Sequence, residues 1–271
     1  MNEFKQLLGA AGGHPPVGTW ISSASPLVAE AVAHAGFDWG VIDMEHSPLD
    51  MMEVVHLLQA VSSSRMVPVV RVPWNDTVTI KRVLDAGATT LLVPFVQSAD
   101  EALRAVAATR YPPQGIRGMS STGRASKFGT VANYLRTANS GIAVIVQLET
   151  VQAVAALEAI AGVPGVDALF LGPADLSASM GYVGQLTHPA VMDLMAHAVQ
   201  RCKALGKPVG AVGGTRQVVA QYRAIGFDYV AIASDLGLLI QAAQAAIASL
   251  RTQDSVHVHT LASGTHTGGG Q

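Results

Sequence analysis

Short apolar runs rich in Val, Ile and Leu alternate along the chain with segments that carry apolar residues at helical spacing. The runs are VGTWI from Val17, FDWGVID from Phe37, VPVVR from Val67, TTLLVPF from Thr89, IAVIVQLE from Ile142, VDALFLG from Val166, PVGAV from Pro208 and FDYVAIA from Phe227. They are continuous rather than alternating, as strands buried on both faces of a parallel sheet require. PLVAEAVAHA, from Pro26 to Ala35, illustrates the intervening helices: Pro26 suits a first turn and Gly36 a C-terminal stop.

The runs recur about every 30 residues, the length of one βα unit in a barrel of roughly 250 residues. The pattern predicts a single (β/α)8 TIM-type barrel over residues 1–252. AGFDWGVID, PGVDALFLG and IGFDYVAIA echo one another, each placing Gly, an apolar residue and Asp ahead of a strand. A doubly wound open sheet is the alternative, but eight units are many for it and no glycine fingerprint follows the first strand. Residues 110–141 make a long fourth connection rich in Pro, Gly and Ser, of the kind used as a lid or binding loop. Its Arg117, Ser120, Ser121, Thr122 and Arg124 could contact an anion, although such residues usually only solvate an exposed loop. Residues 253–271 have the composition of a disordered tail, which accounts for His257, His259 and His266 without a designed metal site.

Composition narrows the partners. The 271 residues are 49% hydrophobic, which excludes disorder for most of the chain. Only 13% are charged, about half the usual share, and 17 basic against 19 acidic residues give a net charge of −2. No basic stripe is present for nucleic acid, so small molecules are the expected ligands. A single cysteine, Cys202, forms no internal disulfide, and neither a signal peptide nor a run of about 18 apolar residues is evident; a cytoplasmic protein without a membrane span is expected. So few charges on so apolar a chain predict surface hidden in subunit contacts.

In a barrel, chemistry gathers where strands end, because the loops leaving the C-terminal rim converge over one mouth. Strand one ends at Trp20, strand two runs into Asp43, Glu45 and His46, and strand three ends at Arg71. Strand five carries Gln147 and Glu149, and strand six leads into Gly172, Pro173, Ala174 and Asp175. Glu149 and Asp175 are two carboxylates beside buried strands, and a divalent cation with oxygen ligands would relieve their repulsion. The structural alternative is that each caps the helix that follows. His46 suits a general base, its alternative being a structural loop histidine. Arg71 suits a clamp on an anion or a developing enolate, its alternative being a salt bridge to Asp43 or Glu45. Trp20 is either a pocket wall or core.

At these residues the sequence resembles the metal-dependent (class II) pyruvate aldolases, typified by 4-hydroxy-2-oxoheptanedioate aldolase and 2-dehydro-3-deoxyglucarate aldolase. The likeness runs from about Pro16 to Leu250 through VGTWI, FDWGVIDMEHSP, PVVRVPWND, LDAGATTLLVPFV, RYPPQGIRG, VQLET and LFLGPADLSASMG, in order. It implies Glu149 and Asp175 as ligands of Mg²⁺, Mn²⁺ or Co²⁺, with His46 as base and Arg71 as transition-state stabiliser. Gln147 and Ala174, with Gly172, Pro173 and Trp20 beside them, would be substrate contacts, and Asp43 and Glu45 would support the site. Asp85 would be the carboxylate that raises the basicity of His46. No Schiff-base lysine, PLP or nucleotide is implied.

The reaction implied is reversible cleavage of a 4-hydroxy-2-oxo acid to pyruvate and an aldehyde through a pyruvate enolate, a lyase step suited to catabolism of aromatic or sugar acids. The implied assembly is a homohexamer, a trimer of dimers exchanging the last helix, here the weakly charged LGLLIQAAQAAIASL. Asp85 stands in LDAG just before strand four, so it should lie at the N-terminal face of its own barrel, and a neighbouring subunit is the expected donor to His46. A CoA-thioester lyase related to citrate lyase or malyl-CoA lyase, and a non-catalytic binding protein on the same fold, are the rival readings.

Overall fold

A computed structural model describes residues 2–262, with side chains described to residue 251. Eight parallel strands close into a barrel in sequence order: β1 (Val17–Ile21), β2 (Trp39–Asp43), β3 (Val67–Arg71), β4 (Thr90–Val93), β5 (Ala143–Leu148), β6 (Ala168–Leu171), β7 (Val209–Gly213) and β8 (Tyr229–Ser234). Each predicted run overlaps one of them. Pairing of β1 with β8 closes the sheet, which excludes the open doubly wound alternative. The helices are α1 (Glu3–Gly9), α2 (Pro26–Ala33), α3 (Met51–Val61), α4 (Thr77–Asp85), α5 (Ala99–Thr109), α6 (Tyr134–Thr137), α7 (Val151–Ala155), α8 (Leu157–Ala161), α9 (Pro173–Ser179), α10 (Pro189–Ala204), α11 (Arg216–Ile225) and α12 (Asp235–Ala262).

The repeated Gly-apolar-Asp segment has a physical basis. Gly36, Gly165 and Gly226 take φ of 99°, 98° and 102°, the left-handed conformation that turns a chain out of a helix. Two residues later an Asp side chain accepts a backbone amide at the start of the preceding strand: Asp38 from Val17 at 2.8 Å, Asp167 from Val144 at 2.9 Å and Asp228 from Val209 at 2.9 Å. The carboxylate thus occupies a strand-end donor that the neighbouring strand begins too late to pair.

The barrel interior is an aromatic stack. Tyr229 lies 5.5 Å from Trp39, and Trp39 packs edge-on to Trp20 and Phe170 at 6.2 and 6.5 Å. Rings this large fit because Gly18 and Gly210 present no Cβ to Trp39 and Tyr229; an added methyl would meet ring atoms at overlapping distance. Helix α1, which sequence periodicity did not reveal, closes the N-terminal end. Asn2 caps it and donates to the carbonyls of Thr89 and Gly141 at 3.0 Å, while Phe4 stands edge-on to Tyr229 at 5.3 Å. The second core layer lies between the sheet and its helices, where Leu57, Ile80, Leu157 and Met195 are fully buried.

Residues 110–141 connect α5 to β5, so they belong to the N-terminal face rather than to the mouth. Arg117 is 1% exposed and pairs with Asp85 at 2.7 Å, and Arg124 donates to the Ala86 carbonyl at 2.8 Å. Both side chains bind their own barrel, which corrects the picture of a loop offering its cations to an external anion.

From Leu236 onward the chain forms a second unit, a helix whose Leu239, Ile240, Ile247 and Leu250 are exposed. Of the segment 253–271, α12 includes the residues up to Ala262, and the remainder with His266 lies outside the described residues. No helix among the described residues is long and apolar enough to cross a membrane.

Candidate active site

Neighbouring strand ends bring the polar residues together. Asp43 and Arg71 face each other in register at the ends of β2 and β3. Arg71 donates through Nε and Nη2 to the two oxygens of Asp43 at 2.8 and 2.7 Å, a two-bond fork with both side chains buried. Its Nη1 lies 2.9 Å from Glu45 Oε2 but off the hydrogen-bonding direction, so that buried oxygen has no donor. The salt bridge considered as an alternative role for Arg71 therefore exists, and it involves both acids. A guanidinium has more donors than these contacts use, so the same pairing also aims Arg71.

Asp43 organises the following turn as well, accepting the amides of Glu45 at 3.0 Å and His46 at 3.4 Å. The His46 side chain is 65% exposed, with Nε2 4.0 Å from Glu45. Asp85 ends α4, ahead of β4, and is held by Arg117; within one chain it lies at the opposite end of the barrel from His46. Trp20 is 7% exposed and packs on Phe170 at 5.5 Å, while the Arg71 guanidinium lies over its ring at 5.5 Å. It is a core residue whose upper face supports the site.

Glu149 follows β5 and is 2% exposed. It caps no helix: Thr150 does so for α7, its hydroxyl accepting the Ala153 amide at 3.0 Å. The Glu149 oxygens turn inward instead. Oε2 accepts the Phe95 amide at 3.0 Å, and Oε1 contacts the Gln147 amide nitrogen. Gly172 makes room for them, since a Cβ there would collide with Glu149 Oε1 and crowd Gln147. Asp175 sits in the first turn of α9, where Gly172 occupies the cap position and no side chain makes a capping bond. Ala174, beside it, is exposed.

Burial pushes the Glu149 carboxyl up to about 7; the Phe95 amide opposes the shift, and the charges of Glu45 and Asp175 add to it. Burial also raises Glu45, against the pull of Arg71. Gln147 Oε1 is buried without a partner. An inward-facing desolvated carboxylate, a second carboxylate in its field and an orphaned amide oxygen are the donor set of an oxygen-ligated divalent cation. Glu149 and Asp175 could hold it. Among the described residues no group of three or more His, Cys, Asp or Glu forms a metal cluster, so ligand and water oxygens would complete the coordination.

The Phe95 amide had no signature in the sequence, because a backbone donor leaves no mark on residue type. Phe95 adopts φ 53°, a left-handed conformation that costs an L-residue roughly 1–2 kcal/mol. That turn places its amide over Glu149.

The family model described as HpcH/HpaI aldolase/citrate lyase matches residues 17–242. The chain belongs to this family. Among its relatives are a 2-dehydro-3,6-dideoxy-6-sulfogluconate aldolase from Pseudomonas putida, 46% identical over 87% of this chain and 92% of the relative, and a 4-hydroxy-2-oxo-heptane-1,7-dioate aldolase from Salmonella arizonae, 46% identical over 90% and 92%. A solved structure of an HpcH/HpaI family protein from Burkholderia cenocepacia J2315 superposes with a TM-score of 0.89 at 42% identity, covering 93% of this chain and all of that one. The matched span contains all eight strands and every mouth residue described above.

The raised Glu149 makes this HpcH/HpaI-family barrel sensitive to pH when no metal is bound. The folded chain holds this proton more tightly than the unfolded chain, so stability falls as pH rises from the ordinary carboxylate range through about 7. The group alone should remove roughly 3 kcal/mol across that window. Urea unfolding of chelator-treated protein is expected to show Glu149→Gln more stable than the parent at pH 8 and equal to it at pH 5. Equal stability at both values would mean the carboxylate is not desolvated.

Proposed function

We propose that this chain is a divalent-metal-dependent aldolase that reversibly cleaves 4-hydroxy-2-oxo acids to pyruvate and an aldehyde. The observation that carries the reading is Glu149: a buried carboxylate in the field of Asp175 and in contact with Gln147, whose own oxygen is orphaned, with no helix to cap and, among the described residues, no cation acting on it except the already engaged Arg71. A divalent cation, when bound by Glu149 and Asp175, supplies Lewis acidity toward a 2-oxo acid.

The chain's own groups account for the rest. Ala174, in the first turn of α9, has a backbone amide without an intrahelical partner, suited to a substrate carboxylate, with Gly172 and Pro173 shaping the approach. Gln147 lines the same wall. In cleavage, His46 accepts the proton of the C4 hydroxyl as the C3–C4 bond breaks, and the bonding pair passes to C3 and the C2 oxygen. Arg71, immobilised by Asp43 and Glu45, stabilises the enolate charge. Return of a proton to C3 gives pyruvate. His46 is exposed enough to meet substrate and solvent.

Asp85 is assigned to His46 of a second copy, because the length of the barrel separates the two residues in one chain. The exposed apolar residues of α12 support assembly through that helix, and the reading includes a hexamer built as a trimer of dimers. The CoA-thioester lyase is not favoured: the relatives at 46% identity carry aldolase names. Complete loss of catalysis is opposed by the matched set of mouth residues.

Chelation should abolish cleavage of a 4-hydroxy-2-oxo acid and Mg²⁺, Mn²⁺ or Co²⁺ should restore it, while borohydride with pyruvate traps no adduct. Full activity of metal-free protein, or a trapped lysine, would overturn the reading. Pyruvate offered with a panel of aldehydes separates an aldolase from both rivals. Arg71→Lys keeps the charge and loses the fork, and turnover is expected to fall at least about a hundredfold in steady-state assays. Co-assembled His46→Ala and Asp85→Ala subunits, each impaired alone, should regain activity; mixed oligomers no better than the parental average would place Asp85 outside a shared site.

A further inference from the structure

The rings of Trp74 and Phe95 belong to none of the roles assigned so far. Trp74 lies three residues beyond Arg71 and β3, and Phe95 lies two beyond β4, so both stand at the mouth. Their rings stack with centroids 5.9 Å apart and planes inclined by 27°. Trp74 is 58% exposed, whereas Trp20 and Trp39 are buried, so its ring serves no core. Its own segment is anchored: the Asn75 side chain donates to the Glu101 carbonyl at 2.9 Å, and the Asp76 amide to the Trp74 carbonyl at 2.8 Å. A fixed platform therefore lies against the ring of the one residue in this turn with a left-handed backbone.

The bonds that follow Phe95 belong to other residues. The Val96 amide donates to the Gln147 carbonyl at 3.2 Å, the Gln97 amide to Glu101 at 2.7 Å, and the Thr150 hydroxyl to Gln97 at 3.0 Å. They fix the chain after the turn. At Phe95 itself φ is 53°, and the amide presented by that rotation is the donor to Glu149 Oε2 at 3.0 Å. Relaxation to negative φ would rotate this peptide and withdraw the donor, and a strained residue keeps its conformation only where its surroundings hold it.

We infer that Trp74 is a positioning residue for the metal ligand: by stacking on Phe95 it holds the left-handed turn that keeps the Phe95 amide on Glu149 Oε2, which presents that carboxylate in one orientation. The inference rests on the proposed metal role of Glu149. A donor fixed on one oxygen directs the remaining lone pairs, and loss of such outer contacts lowers metal affinity by about ten- to a hundredfold.

The test is Mn²⁺ binding to the full chain, read as free Mn²⁺ by electron paramagnetic resonance and independent of turnover. Trp74→Ala and Phe95→Ala are each expected to weaken Mn²⁺ about tenfold. The double variant should be no weaker than either single one, because both remove the same stack. Trp74→Phe, which keeps a ring, should stay within about twofold of the parent. Parent-like affinity in Trp74→Ala, or losses that multiply in the double variant, would overturn the inference. If Trp74→Ala does not fold, Phe95→Ala against Phe95→Tyr decides: affinity lost in the first and kept in the second supports it, and equal affinities refute it. Glu149→Gln separates the two levels. If it binds Mn²⁺ like the parent, the metal reading of Glu149 fails; if it loses Mn²⁺ while Trp74→Ala retains it, only the role of the stack fails.

Discussion

Excess negative charge at the barrel mouth is the constraint around which the site is built. Asp43 and Glu45 share one guanidinium, Arg71, whose fork is taken by Asp43, and Glu149 lies in the field of Glu45 and Asp175. Two like charges about 4 Å apart repel by roughly 4 kcal/mol at a partly buried site. Burial pushes the Glu149 carboxyl up to about 7, the Phe95 amide opposing the shift and the charges of Glu45 and Asp175 adding to it. A divalent cation relieves the same repulsion without surrendering the carboxylate. Electrostatics thus makes this packing arrangement of strand ends one that a cation would relieve.

The floor beneath this charge is rigid for reasons of packing. Phe4, Tyr229, Trp39, Phe170 and Trp20 fill the barrel from its N-terminal end upward, and the last of them carries Arg71 on its face. An arginine pinned by two acids and an aromatic face has little orientation left to lose when charge develops on a ligand, which is the property that oxyanion stabilisation requires. Trp20 is thus packed as core, in contact with Phe170 and with the Arg71 guanidinium over its ring.

Several parts of the site were legible in residue order. Asp43, Arg71, Gln147 and Glu149 announce themselves because an ionisable or amide side chain at the end of a buried apolar run needs a reason to be there. The capping alternative for Glu149 was also open on spacing, and the Thr150 hydroxyl on the Ala153 amide removed it. Arg117 illustrates the opposite case. Its loop reads as polar and exposed, yet the guanidinium is buried on Asp85 and over Tyr111 at 4.5 Å, since contacts made across 32 positions leave no periodic signal.

What the sequence determined by itself is the barrel: continuous apolar runs at βα spacing admit few arrangements, and the Gly-apolar-Asp repeat encodes a local turn and the strand-end bond that goes with it. It also determined which polar side chains reach the mouth, because strand direction follows from chain order. Tertiary structure alone decided how those groups pair, that α1 seals the far end with Phe4, and that a backbone amide at Phe95 holds Glu149. The division has one physical cause. Periodicity and turn chemistry act over a few residues and are written in residue type, whereas backbone donors, ring stacks and burial-driven proton affinity depend on what distant segments bring alongside.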